Sequence, residues 1–222
     1  MELHEKLYEF LRQNYYTELM QLAGEKMPFL AIDFSILDRF DPVIADMLLE
    51  EPDNILPALS QATTQFDFPA ESKINIGIKN LPEHRNIRIR SLRSEHMGKL
   101  WRVDAVVKSA TEVKPQIYEA VFKCPECDAR ITVKQEALIL HKPSSCECGR
   151  RGDFPLIEKK MIDVRWLTGM EPFEIASGEQ PGQIAIFLKE NLTTPRMQRR
   201  TDPGARLKIF GILKELPKRI KG

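Results

Sequence analysis

The sequence predicts an α+β protein of three parts: a helical bundle, a small closed β-barrel, and a four-cysteine subdomain inserted into the barrel. Three observations carry this expectation. Apolar residues recur every four positions near the start, apolar and polar residues alternate from about residue 99, and all four cysteines lie between Cys124 and Cys148. A chain of 222 residues suffices for one or two domains with a sizeable core.

Leu3, Leu7, Leu11, Tyr15 and Leu19 are spaced by four, with Phe10 and Leu22 filling the adjacent stripe, which predicts an amphipathic helix over 2–22. After Gly24 the short apolar and aromatic run 28–34 reads as a strand, and Ser35 is expected to cap a short helix ending near Phe40. Asp41 and Pro42 supply a cap and a first-turn proline for a helix over 43–50, and Asp53 starts another toward Ala62. Residues 1–72 are therefore expected to form the bundle.

From Ile74 the texture becomes that of strands. Over 99–108, Trp101, Val103, Ala105 and Val107 share one face while Arg102, Asp104, Val106 and Lys108 share the other. Further strands are expected at 117–123, 131–135, 161–167, 183–189 and 206–214, separated by proline and glycine turns. This pattern suggests an OB-fold β-barrel over 73–118 and 160–222, with the cysteine subdomain over 119–159 in a long loop.

Charge is distributed unevenly although the net is only +1. Residues 1–60 hold four Lys/Arg against twelve Asp/Glu, whereas residues 196–222 hold nine against two. The basic end includes Arg196, Arg199, Arg200, Lys218, Arg219 and Lys221, and such a cluster suits a polyanion. A second basic stretch contains Arg85, Arg88, Arg90, Arg93, Lys99 and Arg102. Both fit phosphate contacts with single- or double-stranded DNA, although Arg88 and Arg90 alternate with Ile87 and Ile89 and also fit the wet face of a strand. Between Arg196 and Gly222 the only aromatic is Phe210, so one subunit alone is expected to bind single strands weakly. No apolar run reaches the roughly 18–20 residues that span a bilayer, and the acidic start lacks the features of a signal peptide. An intracellular protein of cytoplasm, nucleoid or nucleus with no membrane partner is the expectation.

Cys124 and Cys127 form a C-x2-C pair and Cys146 and Cys148 a C-x-C pair, with eighteen residues between the pairs. Two such turns can present four thiolates to one structural Zn2+. An iron–sulfur cluster and disulfides are the other uses of such a set, and His141 is a substitute ligand should the shortened second pair fall short. No H-x-E precedes the cysteines, His4-Glu5 lacks the second histidine of H-E-x-x-H, and G-x-x-x-x-G-K-[ST] is absent from the chain. His84 and His96 read as surface or locally satisfied residues, so no catalytic residue is assigned.

Residues 86–100, the run Thr111-Glu-Val-Lys-Pro115, the run 119–127 and the segment 202–213 together resemble the N-terminal region of the minichromosome maintenance (MCM) replicative helicases, particularly the archaeal ones. The resemblance implies a helical bundle, a zinc-binding subdomain and an OB fold that assemble as a hexamer, or paired hexamers, around DNA. It implies that Cys124, Cys127, Cys146 and Cys148 are the zinc ligands, that Lys114 contacts single-stranded DNA, and that Lys218, Arg219 and Lys221 lie in a basic hairpin in the channel. It also implies an ATPase downstream that uses ATP and Mg2+, so the chain is expected to be a fragment whose parent is an ATP-dependent helicase. The chain departs from the family pattern at Gly182, where arginine is common, and in the C-x-C pair. A stand-alone zinc and OB protein binding single-stranded DNA or RNA is the alternative, and a hydrolytic metalloenzyme the third reading.

Overall fold

Helix α1 (Leu3–Leu22) buries Leu7, Phe10, Leu11, Tyr15 and Leu19 along the stripe that the spacing of its apolar residues dictates. In this computed structural model the described residues are 2–25, 28–68, 74–135, 140–176 and 180–215. Strand β1 (Phe29–Asp33) leads directly into α2 (Phe34–Phe40). The cap of α2 is Asp33, not Ser35: its carboxylate accepts from the Ser35 backbone N–H at 3.0 Å and from the Ser35 hydroxyl at 2.7 Å. A carboxylate accepts both donors at once, so the helix starts two residues earlier than the serine alone would set it. Asp41 caps α3 (Pro42–Glu50) by accepting from Val43 and Ile44, and α4 (Pro52–Thr63) follows with its own first-turn proline.

Strand β2 (Asn75–Lys79) pairs in parallel with β1, Phe29 opposite Asn75 and Asp33 opposite Lys79. Parallel neighbours require a crossover, and α2, α3 and α4 supply it. The bundle core gathers Leu7, Phe10, Leu11, Ile44, Leu48, Ile55 and Leu59 with Ile74 and Ile78 of the second strand region. That core extends to Leu100, with Phe210 and Ile212 packed against it, so the bundle sits on one end of the β layer.

The β layer contains β3 (Leu100–Ala110), β4 (Lys114–Lys123), β5 (Arg130–Lys134), β6 (Leu156–Met170), β7 (Gln183–Lys189) and β8 (Arg206–Ile212). The order is β5-β4-β6-β3-β8, with β7 also on β6, and every pair is antiparallel. Val164 pairs with Lys114 and with Lys189, so β4 and β7 flank opposite edges of β6. Val103, Ala105 and Val107 are buried, as the alternation over 99–108 requires, and the ladder slips between Val107 and Ser109. The interior is filled by Val107, Leu167, Ile186 and Leu188 with Leu207 and Ile209, and by Ile89, Val103 and Ala105 with Ile184.

Long strands carry the β layer into the cysteine subdomain without a linker. Beyond Ile117, β4 continues to pair with β6 through Glu119, Ala120 and Val121, and with β5 from Glu119 to Lys123. The subdomain packs Ala120, Phe122, Cys124, Cys146 and Phe154 in a core far smaller than that of the bundle.

Candidate metal centre and nucleic-acid face

The first cysteine pair turns immediately after β4. The Cys124 backbone N–H donates to Ala129 O at 2.9 Å, the Asp128 N–H donates to Cys124 O at 3.0 Å, and Asp128 closes the turn at φ 57°. The second turn repeats this, with Cys146 N–H to Arg150 O and Gly149 N–H to Cys146 O, both 2.9 Å. Gly149 has φ 90°, a conformation glycine adopts without a steric penalty. The two turns bring Cys124 Sγ to 3.7 Å from Cys148 Sγ and Cys127 Sγ to 3.6 Å from Cys146 Sγ, and all four sulfurs lie within 4.8 Å of one another. A tetrahedral zinc with bonds near 2.3 Å needs sulfur–sulfur edges of about 3.8 Å, so the C-x-C pair reaches as well as the C-x-x-C pair. These four residues could hold a metal ion, with Cys124 and Cys146 buried and Cys127 and Cys148 exposed.

Ionisation within the cluster shows why a cation fits it. The Cys127 backbone N–H, directed at the Cys124 sulfur, brings that thiol down to about 7. The Ala129 backbone N–H acts the same way on Cys127, but the neighbouring sulfurs of Cys124, Cys146 and Cys148 outweigh it and push Cys127 up to about 12. One thiolate forms easily and the next resists it; a bound dication removes that resistance. His141 is held through its backbone, donating to Gln135 Oε1 at 2.7 Å and accepting from Gln135 Nε2 at 2.9 Å. It is not in the metal-competent group found among the described residues.

The two basic stretches have different fates. In the first, Arg85 is buried, pairs with Glu50 and lies 4.8 Å from the Trp101 ring centre. Lys99 also pairs with Glu50, at 2.7 Å, and Arg102 reaches Glu83 and Asp104. Arg93 donates to the carbonyls of Arg90 and Leu92. Arg90 pairs at 2.7 Å with Glu171, which is only 2% exposed. Burial alone would raise the Glu171 pKa, but the Arg90 backbone N–H, the Arg90 guanidinium and the Gly182 N–H hold it below the usual carboxylate range. The alternation of Ile87, Arg88, Ile89 and Arg90 does not make a strand. After one bridge from Asn86 to Arg102 the chain forms a 3-10 turn over Ile89–Ser91, which delivers Arg90 to Glu171.

The departure at Gly182 has a local cause: a Cβ there would stand 3.0 Å from the Arg90 backbone nitrogen. His96 is locally satisfied, its Nδ1 accepting from the Arg93 N–H and its ring meeting Trp101 edge-on.

The second set of cations is exposed. Lys114 opens β4, and Arg196, Arg199 and Arg200 project from α6 (Pro195–Arg200); none of these four has an ion pair among the described residues. In the same C-terminal run Arg206 pairs with Glu174 and Lys214 with Asp53. Lys218, Arg219 and Lys221 lie outside the described residues. Arg165, which drew no attention in the sequence, organises this region. Buried on β6, it donates to Thr111 O at 2.9 Å, Gln198 O at 3.1 Å, Thr201 Oγ1 at 2.8 Å and Asp202 Oδ1 at 2.9 Å. It thereby ties the segment before Lys114 and the end of α6 to one strand. The only hint was an arginine within an otherwise apolar run, Val164 to Leu167. Trp166 and Phe187 form a second unforeseen feature, a cross-strand pair with ring centres 4.6 Å apart.

Comparison with known proteins gives two family profiles, described as the MCM OB domain over residues 88–217 and the MCM N-terminal domain over residues 4–93. The minichromosome maintenance protein MCM of Saccharolobus solfataricus is 30% identical over 90% of this chain and 31% of its own length. DNA replication licensing factor MCM4 of Drosophila melanogaster is 25% identical over 94% of this chain and 24% of its own length. The chain thus spans about a third or less of these relatives. A crystal structure of the N-terminal domain of an archaeal MCM superposes with a TM-score of 0.75 at 24% identity, covering 98% of this chain and 90% of that one, which shows a shared fold.

Proposed function

Because the chain belongs to the minichromosome maintenance (MCM) family and carries its N-terminal and OB domains, we propose that it is the DNA-binding and subunit-assembly region of a replicative helicase. Six copies encircle DNA and hold single strands on the OB layer, Lys114 and the α6 arginines meeting phosphates while Lys218, Arg219 and Lys221 act in a basic hairpin. The observation that carries this reading is the exposed set of Lys114 on β4 and the arginines of α6, inside the span that the OB-domain profile covers and without an ion pair among the described residues, in contrast to Arg90 and Lys99, which are occupied internally. The four cysteines hold zinc as a structural ion. ATP hydrolysis with Mg2+ belongs to a separate catalytic domain of the parent helicase, an intracellular protein. Among the described residues no helix is long and apolar enough to cross a membrane.

The test is light scattering alongside binding of a labelled single-stranded oligodeoxynucleotide, over a range of chain concentrations. Affinity should rise as the mass moves from one chain to six, because linked weak contacts gain roughly 10²–10⁴ through effective concentration. Binding that is absent at every mass, or insensitive to salt, would overturn the reading.

A further inference from the structure

On the outer face of β6 and β7, Trp166 and Phe187 stand directly opposite one another across the ladder. The inner face of the same strands carries Leu167, Ile186 and Leu188, which fill the core, so the aromatic pair is not part of that core. Phe187 is 40% exposed and Trp166 half-buried, and the rings touch each other at 4.6 Å between centres. Two large aromatics displayed on a sheet interior cost solvation unless something covers them.

The surroundings of the pair are cationic. Two residues along the same face, Val164 lies between Lys114 on β4 and Lys189 on β7, both exposed and without an ion pair among the described residues. Alternate residues of a strand are about 6.6 Å apart, so this row of two lysines borders the aromatic row at the distance that separates the parts of one nucleotide. The platform is also held firmly. Trp166 pairs with Phe187 on one edge, and on the other its N–H donates to Thr111 Oγ1 at 3.1 Å while its carbonyl accepts from Thr111 N at 2.9 Å. Arg165 fixes Thr111 from below through its carbonyl.

We propose that Trp166 and Phe187 are a base-stacking platform for single-stranded nucleic acid, with Lys114 and Lys189 holding phosphates of the same strand. This rests on the single-strand reading above and adds to it where the bases sit. Stacking surfaces next to a cationic track are how OB layers hold single strands with little sequence preference. It also changes the expectation for one subunit, since the aromatics missing from the basic C-terminal run are supplied by β6 and β7.

The test measures binding of the 222-residue chain to oligodeoxythymidine, oligouridine and an abasic deoxyribose-phosphate strand by fluorescence anisotropy at several salt concentrations. Trp166→Leu and Phe187→Leu keep apolar bulk but lose the stacking face. Each should weaken oligodeoxythymidine binding roughly 5- to 150-fold at an unchanged salt slope, and leave abasic binding unaltered. Phe187→Tyr should bind like the unsubstituted chain. Lys189→Ala should instead lower the salt slope by about 0.7. An equal loss on oligouridine assigns the platform to single strands in general, and a loss on oligodeoxythymidine alone assigns it to DNA. If the leucine variants bind like the parent while Lys189→Ala weakens binding, the platform is wrong and the single-strand reading stands. Failure of the unsubstituted chain to bind any strand removes both. A changed mass in light scattering with unchanged affinity would make the pair a contact between chains and overturn the platform.

Discussion

The stretch from Arg85 to Arg102 and the set formed by Lys114 and α6 are similarly basic in sequence but opposite in what they do with their charge. In the first, Arg85, Arg90, Lys99 and Arg102 face Glu50, Glu171, Glu83 and Asp104, so the chain supplies counterions to these four, while Arg88 and Arg93 are exposed without an ion pair among the described residues. In the second, Lys114, Arg196, Arg199 and Arg200 are exposed and have no ion pair among the described residues. The difference teaches that a basic run marks a binding surface only where the fold leaves it unneutralised. The cysteine turns are the same lesson with the sign reversed: four sulfurs are gathered within 4.8 Å, and their crowding opposes the ionisation that a bound cation would favour. Charge satisfied internally builds the fold, and charge left over marks what must be recruited.

The largest expected effect lies at the cysteines. Structural zinc contributes apparent binding energies of about 10–16 kcal/mol in small domains, and the subdomain core of Ala120, Phe122, Cys124, Cys146 and Phe154 is too small to replace it. Elemental analysis should give one zinc per chain. Chelation should unfold the residues around β5 and the two turns while the bundle signal persists, as read by hydrogen exchange. Cys124→Ser should reproduce the chelated pattern. A chain free of metal with unchanged protection there would remove the cysteines from the comparison.

The next effect tests the self-neutralised stretch. Glu171→Ala removes the buried carboxylate that Arg90 pairs with, and breaking such a pair by removing one partner costs about 3–5 kcal/mol. Urea unfolding should show that loss at pH 7. Because the folded Glu171 pKa is depressed, its contribution is present above the unfolded carboxylate value of about 4.3 and fades as pH falls through the folded value. The parent and Glu171→Ala curves of stability against pH should therefore converge in acid. Parallel curves down to the lowest accessible pH would show that the carboxylate charge is not what holds the Gly182 segment against Arg90.

The legibility of these features in the sequence followed their range. Local signals were readable: the spacing of Leu7, Leu11, Tyr15 and Leu19, the Asp41-Pro42 cap, and strand β7 at Gln183–Lys189. Features that depend on a distant partner were not. β6 runs over Leu156–Met170, well beyond the apolar run, because Glu158, Lys159 and Lys160 pair with β4 in a polar arm that shows no alternation of hydrophobicity. The 3-10 turn over Ile89–Ser91 needs Glu171, which is 81 residues from Arg90. The two aromatics of the outer face become a pair only once β6 and β7 are set in register. The cysteine cluster was the exception, since its spacing alone encodes two turns that close on one point.

The smallest expected effect on stability decides the comparison itself. Arg199→Ala and Lys114→Ala remove exposed cations with no ion pair among the described residues, so each should change folding stability by no more than about 0.5 kcal/mol. Their effect should appear only in binding. Each neutralised phosphate contributes about −0.7 to the slope of log affinity against log salt on single strands, so losing one contact should flatten the slope by that amount whatever the base sequence. Arg102→Ala is the matched control, because it removes the same kind of charge from a site already occupied by Glu83 and Asp104. It should lower stability more than Arg199→Ala does and leave the salt slope where it was. If Arg102→Ala flattens the slope as much as Lys114→Ala, both basic stretches reach the phosphates, and internal ion pairing does not separate structural from binding cations in this protein.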